Sequence, residues 1–503
     1  YLSRFLIRSF QRRPLLTILI THLFLALVGI AIYNKVANSC RTWDQGLDGE
    51  RIIYDGTTCY LKIPDVCIYD IRDGLFDYTK LTLWDCTTFP NHWKLMDQFF
   101  GSHPLLGFPR LEYISARDRF DDNILGYIRS NLVPIESLED EKAKYLEIFL
   151  DRRNPQDPKY IIKVKRNETL VEERSKIKSP SVTKNLLVLY IDSLSRARAV
   201  KNMKKTMAWL EKFMNQKHPS RETFQFFKYH AITPYTVNNL YAALHGVFEP
   251  PKDSHPTRAE SFVETFKRNG YITGRTTDFC VTEFINYNDY TYSFLRDTKY
   301  DHEGIGFSCD PNSDSYYQLY GPYRRCMYGK DVFEYQFEYA QDFWKTYQQE
   351  KKLLYLDFII NHEGSQERIK YMDGPLAQFL QTFEERGWLE DTAILLFSDH
   401  GLHYPPPGVY SYYTIIETER ALPTLFINLP RKISDEYRLV MKENQQKFVS
   451  PFTVYHTFMT IAEGVGSSHF NSSLIGNLPS NTTCDDIHVL KHACYCTYDP
   501  TVY

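Results

Sequence analysis

The sequence predicts an α/β protein built on a doubly wound, mostly parallel sheet, and three runs of apolar, β-branched residues carry that prediction. Residues 185–191 run into Asp192, 353–360 into Asn361-His362-Glu363, and 392–397 into Ser398-Asp399-His400-Gly401. Parallel strands are covered on both faces and read as continuous hydrophobic runs. Open α/β sheets bind ligands in the crevice beyond the strands' carboxyl ends. Acids and histidines far apart in the chain are therefore expected at one sheet edge.

Taken in order, the chain opens on Arg4, Arg8, Arg12 and Arg13 and continues into 14–33, apolar apart from threonines, His22 and Gly29. About 20 such residues match a bilayer core, so 14–33 reads as one transmembrane helix after a basic tail, 1–13. Only Lys35 and Arg41 follow closely. The positive-inside rule then places the tail in the cytoplasm and everything else outside, as a single-pass type II protein of the plasma membrane or secretory pathway. The competing reading is a cleaved signal peptide. Against it, the stretch exceeds the usual apolar region and no small-x-small site follows.

Two further signals agree with that topology. Asn167, Asn471 and Asn481 each begin an acceptor sequon, and all lie beyond the apolar stretch. The ten cysteines fall in three groups: Cys40, Cys59, Cys67 and Cys86; Cys280, Cys309 and Cys326; Cys484, Cys494 and Cys496. An even count in an oxidising compartment suggests disulfides, and groups of three cannot pair internally, so at least one bridge must join distant parts. A zinc knuckle at the C-terminus is disfavoured because Cys494-Tyr495-Cys496 lacks the usual ligand gap.

Residues 40–180 form a cysteine-containing, aromatic-rich region ending in a charged linker from Asn167 to Pro180. From Lys184 strands alternate with amphipathic segments such as 200–214 and 371–386, the βα alternation of a doubly wound sheet. The catalytic domain is placed at 184–470, with further strands at 270–274 and 422–428, and 471–503 as a disulfide-pinned tail. A net charge of −3, with no basic run interleaved with aromatics, excludes a nucleic-acid footprint.

The chemistry concentrates in a few positions. Asp192 and Asp399, leaving buried strands, are rigidly aimed carboxylates, and His400 adds an imidazole, so the three are candidate ligands for a divalent metal. Zinc is favoured because histidine is among them. Thr236 opens a helical segment that stops near Gly246, where free amides and the helix dipole favour an anion and lower a hydroxyl's pKa. The blander alternatives are helix capping for Asp192 and Thr236 and a turn for Asp399-His400.

Together, the Asp-Ser-Leu-Ser-Arg at Asp192, Thr236-x-x-Asn239-Leu240, Gly-Tyr-Ile-Thr with Asp278 downstream, Asn-His-Glu, Ser-Asp-His-Gly, the Glu-Arg-Ala-Leu-Pro ending at Pro423 and the terminal cysteines resemble the alkaline phosphatase/sulfatase superfamily. They are most similar to its animal domain-of-unknown-function 229 (DUF229) branch. The resemblance runs from about Cys40 onward and implies a two-cation ester site. It puts Asp192, Thr236, Asp399 and His400 on one ion, with Thr236 both ligand and nucleophile. His362 matches the family's middle histidine, but Glu363 stands where aspartate is expected. Asp357 and His456 are further second-site candidates that also read as a strand residue and a helix residue. No cysteine begins the C-x-P-x-R pattern of formylglycine sulfatases.

The expected function is a membrane-anchored, metal-dependent phosphoester, less readily sulfoester, hydrolase or phosphotransferase. It would hold one or two ions and act on a phosphoester, glycan or lipid head group. The alternative is a catalytically degenerate relative acting as a cell-surface binding module. Substrate, acceptor and oligomeric state are not written in the sequence.

Overall fold

The computed structural model describes residues 22–31, 46–53, 60–61, 86, 111–115, 131–138, 146–154, 157–248, 259–278, 298–304, 307, 326–362, 367–402 and 413–497. A mixed seven-stranded sheet forms its centre. Its strands in chain order are β1 (Asn185–Ile191), β2 (Arg221–Gln225), β3 (Ile272–Thr277), β4 (His302–Gly304), β5 (Lys352–Phe358), β6 (Thr392–Phe397) and β7 (Leu425–Pro430). In space they run β4-β3-β5-β1-β6-β7-β2. All neighbours pair in parallel except β7, which is antiparallel to both β6 and β2.

The helices that matter here are α1 (Arg196–Asn202), α2 (Lys204–Glu211), α3 (Thr236–His245), α4 (Phe262–Arg268), α5 (Val332–Thr346), α6 (Ile369–Glu385), α7 (Tyr413–Ala421), α8 (Arg431–Asn444) and α9 (Pro451–Glu463). They make the fold doubly wound, and the strand pattern shows it. On β1, Leu187, Leu189 and Ile191 face a core shared with α2, α5 and α6. Leu186, Val188 and Tyr190 face another shared with α3, α4 and α9. Alternate residues of one strand thus enter different cores, which is why its sequence is apolar without interruption.

Ahead of this domain lies a four-stranded antiparallel sheet, ordered Asn131–Ile135, Leu111–Ser115, Ile148–Asp151, Lys159–Ile162. It shares the larger core, to which Leu47, Leu150 and Tyr160 contribute beside Leu354 and Phe343.

Two expectations need correction, and the cysteine reading holds. The stretch read as a linker holds a helix, Glu168–Ser175, whose cap is Asn167, accepting from Leu170 N at 3.1 Å. The single helix expected over 200–214 is α1 followed by α2, broken at Met203 (φ −108°, ψ 52°). The expected distant bridge is Cys86–Cys326, 240 residues apart in sequence. Cys484 pairs with Cys494 and Cys496 is also disulfide-bonded, so these sulfurs are unavailable as a zinc knuckle. Cys40, Cys59, Cys67, Cys280 and Cys309 lie outside the described residues.

Residues 22–31 are helical, with Leu23, Phe24, Leu25, Leu27 and Ile30 exposed. Among the described residues no helix is long and apolar enough to cross a membrane. The sequon residues Asn167, Asn471 and Asn481 are all exposed.

Candidate metal centre and nucleophile

Three chain segments meet at the carboxyl edge of the sheet. β1 delivers Asp192, whose backbone N donates to Phe358 O of β5 at 2.8 Å. Directly after it Ser193 adopts a left-handed conformation (φ 60°), a turn that a hydrogen-bonding network holds in place. Ser193 Oγ donates to Asp192 Oδ1 at 2.8 Å and its N to Asp399 Oδ1 at 3.2 Å, while Asn361 Nδ2 donates to Ser193 O at 2.8 Å. Asp192 is not the cap of α1. That position belongs to Ser195, whose side chain accepts from Arg198 N at 3.2 Å.

β6 delivers Asp399 and His400. Ser398 Oγ accepts from Leu194 N at 2.9 Å and donates to His400 O at 2.8 Å, tying the β6 exit to the β1 exit. His400 Nδ1 lies 2.7 Å from Gly401 O and can only donate there, so the Nε2 lone pair faces the cluster. Gly401 is required by close approach: a Cβ there would lie 1.8 Å from Glu419 O. The loop from β6 therefore runs flush against the end of α7.

The third contribution is Thr236, the first residue of α3. Its cap is Tyr235, which makes no side-chain capping bond. The threonine hydroxyl does not cap the helix either; Oγ1 donates to His400 Nε2 at 3.0 Å. The helix ends where its sequence predicts, at Gly246 with φ 67°.

Ligand atoms of Asp192, Asp399 and His400 all lie within 4.8 Å of one another, and all three residues are buried. Asp399 Oδ2 is buried without a hydrogen-bond partner, 3.3 Å from His400 Nε2. Burial raises the Asp192 pKa well above the usual carboxylate range, and the Asp399 charge raises it further. Two buried carboxylates, an imidazole lone pair and a hydroxyl make a donor set that fits one divalent cation.

The other candidates fall at different distances from this group. His362 is buried at the exit of β5, its N bonded to Ile359 O at 2.8 Å, and lies outside the mutually close set. Burial, then the neighbouring His400, push its pKa down to about 4. Asp357 is paired with Arg275 Nη2 at 2.8 Å, both side chains almost fully buried. Glu363 lies outside the described residues. His456 is on α9, where Nδ1 sits 2.8 Å from His469 Nδ1, apart from the cluster.

Sequence reasoning named three supporting residues as motif members without giving them a role. Asp278 Oδ1 accepts from Ile359 N at 2.7 Å. Burial pushes its pKa up to about 7, and its charge acts on Asp192. Asn361 and Asn239 hold backbone on either side of the centre. Their signal was the Asn in Asn-His-Glu and in Thr-x-x-Asn, read as motif rather than as hydrogen-bonding chemistry.

No curated protein matches the chain. Among solved structures it is similar to the C-terminal periplasmic domain of EcEptC from Escherichia coli in complex with Zn, at 16% identity and TM-score 0.43 over 61% of this chain and 89% of that one. It is similar to the C-terminal periplasmic domain of phosphoethanolamine transferase EptC from Campylobacter jejuni, at 12% identity and TM-score 0.38 over 60% and 96%. The lipoteichoic acid synthase LtaP from Listeria monocytogenes aligns at 12% identity and TM-score 0.40 over 64% and 81%. The family described as "Protein of unknown function (DUF229)" matches residues 119–503, well over half of the chain, and the protein belongs to that family.

Proposed function

We propose that this protein is a metal-dependent phosphoester hydrolase or phosphotransferase with Thr236 as its nucleophile. The observation that carries the reading is the placement of Thr236 Oγ1, 3.0 Å from His400 Nε2, beside the converging Asp192, Asp399 and His400. A hydroxyl directed away from capping its own helix and into a buried acid and imidazole cluster has little structural purpose. The four converging donors are enough for one ion, and zinc is the favoured metal because an imidazole is among them. When bound, such a cation supplies Lewis-acid stabilisation of phosphoryl charge and lowers the pKa of a ligated hydroxyl.

The chain's own residues account for the rest of the chemistry. Thr236 Oγ1 gives up its proton to solvent and attacks phosphorus, a P–O bond to the threonine forms, and the bond to the ester alcohol breaks as that oxygen takes up a proton. Water or a second alcohol, losing a proton in its turn, then takes the phosphoryl group, and the Thr236 oxygen leaves and is reprotonated. The first-turn amides of α3, left without a side-chain cap, point toward the charge that develops on the phosphoryl oxygens. The Ser193, Asn361 and Ser398 bonds hold the two carboxylates in register throughout.

The anchored topology belongs to the same proposal. It is supported by the arginines before 14–33 and by the exposed apolar side chains of the helical residues 22–31. Glycosylation at Asn167, Asn471 and Asn481 is supported by their exposure.

The test is zinc content of the purified full-length chain together with release of nitrophenol from bis(p-nitrophenyl) phosphate, in the native protein, Thr236→Ala and Asp399→Asn. Stoichiometric zinc and turnover, with turnover lost in both variants and zinc lost in Asp399→Asn, is the expected result. A chain with neither zinc nor turnover sinks the proposal.

A further inference from the structure

We propose that Asn239 is a positioning residue for Thr236, a clamp that fixes where the nucleophilic oxygen points. This inference rests on the reading of Thr236 given above. Asn239 is fully buried in α3, three residues after Thr236 and hence on the same helix face. Its amide folds back over the turn that leads into the helix. Oδ1 accepts from Ile232 N at 2.7 Å and from Thr233 N at 3.4 Å, and Nδ2 donates to Thr233 O at 2.7 Å and to Tyr235 O at 2.9 Å. A carboxamide has two donor hydrogens and two acceptor lone pairs. All four are spent on one four-residue turn.

That turn, which Thr233 Oγ1 also closes by donating to Tyr235 O and accepting from Tyr235 N, each at 3.2 Å, joins fixed structure to the nucleophile. Upstream, His230 N donates to Val449 O and Ala231 N to Ala421 O, both at 2.9 Å, and Leu490 N of the disulfide-closed tail donates to Ile232 O at 3.3 Å. Downstream, α3 is packed into two cores through Val237, Leu240, Ala242 and Leu244. Between them Pro234 has no N–H to contribute, and Tyr235 is 61% exposed. A rotation of the Thr233–Tyr235 backbone would swing Thr236 relative to His400, and Asn239 bonds both ends of that segment.

The residue type argues the same way. Asparagine is a mediocre helix former and competes for local backbone bonds. A fully buried helix position would suit leucine better unless the four bonds serve a purpose. Asn239→Asp keeps the shape and the acceptor but loses both donors, and sets a carboxylate against the carbonyls of Thr233 and Tyr235.

The experiment measures zinc affinity by chelator competition and turnover of bis(p-nitrophenyl) phosphate in the full-length native chain, Thr236→Ala, Asn239→Asp and the double variant. Removing a residue that orients a ligand costs about 10- to 100-fold. Asn239→Asp is expected to lower kcat and zinc affinity by that factor with KM nearly unchanged. In the Thr236→Ala background it should weaken zinc binding no further, because a clamp acts only through what it holds.

Native kcat and zinc affinity in Asn239→Asp overturn the clamp, as does an undiminished loss in the double variant, the mark of general structural damage. Should the aspartate variant fail to fold, Asn239→Ser, which shortens the side chain without adding charge, is judged by the same criteria. A native chain that binds no zinc and turns nothing over removes the reading of Thr236 and the clamp with it. A native chain that is active and loses activity in Thr236→Ala, yet is indifferent to Asn239, overturns the clamp alone.

Discussion

Gly401→Ala tests whether the candidate centre depends on the close seating of its loops. The added methyl would meet Glu419 O at 1.8 Å, Glu419 C at 2.5 Å and Ser195 Cβ at 2.9 Å. A carbon and a carbonyl oxygen sit no closer than about 3.2 Å, so one backbone must retreat by roughly 1.4 Å. Neither is free to do so. Gly401 N is bonded to Arg420 O at 3.0 Å, and the Glu419 side chain is held by Arg198 Nε at 3.0 Å with both groups only 3% exposed. Overpacking of this kind costs about 1 to 3 kcal/mol. In a large domain that corresponds to a fall in Tm of roughly 2 to 4 °C per kcal/mol. The displacement also reaches His400, the preceding residue, and a misplacement near 1 Å costs about 100-fold in rate. Thermal melts, zinc competition and nitrophenyl phosphodiester turnover on the full-length variant read all three quantities. A Gly401→Ala chain with native Tm and native zinc affinity would refute the argument from close approach.

Arg198→Met leaves Glu419 buried without its cation and is expected to cost about 3 to 5 kcal/mol, whereas Arg198→Met with Glu419→Leu recovers most of that loss; denaturant unfolding of both decides it. His230 is fully buried, and burial lowers its pKa from 6.5 to about 4. Because the folded value is depressed, its contribution is complete above pH 6.5 and fades as pH falls toward 4, amounting to about 2 kcal/mol by pH 5. Its Nε2 accepts from Tyr495 N at 3.1 Å, so His230→Gln should narrow the difference in Tm between pH 7 and pH 5, and an unchanged difference counts against the assignment. At the first sequon, Thr169→Ala is expected to remove a glycan without touching the cap that Asn167 provides. Asn167→Gln should remove both and cost about 1 kcal/mol more, as amidase-sensitive gel shifts and melts of the two variants will show.

What the sequence disclosed follows from how each strand is buried. β1 and β6 lie centrally with both faces covered, so 185–191 and 392–397 are apolar after their first residues, Asn185 and Thr392, and match the observed elements to the residue. β2 at the sheet edge, Arg-Glu-Thr-Phe-Gln, is just as buried but reads as polar surface. Its arginine is satisfied by Leu389 O, Thr392 O at 2.6 Å and Asn428 O at 3.1 Å, and Gln225 Nε2 by Leu47 O at 3.1 Å and Glu50 Oε2 at 2.8 Å. Those partners lie well over a hundred residues away, and no local pattern encodes them. The candidate centre divides the same way. Asp192, Asp399 and His400 stand at the ends of apolar runs, where a rigid strand announces its terminal side chain. Asp278, Asn361 and Asn239 act by bonding backbone whose position is set by the fold, so the sequence marks them as members of motifs but does not show what they hold. Residues presented by strands can thus be found by periodicity, while those that hold loops become visible only with the hydrogen bonds they make. For that reason the Asn239 variants test the structural part of the reading, and the Thr236 and Asp399 variants the part already present in the sequence.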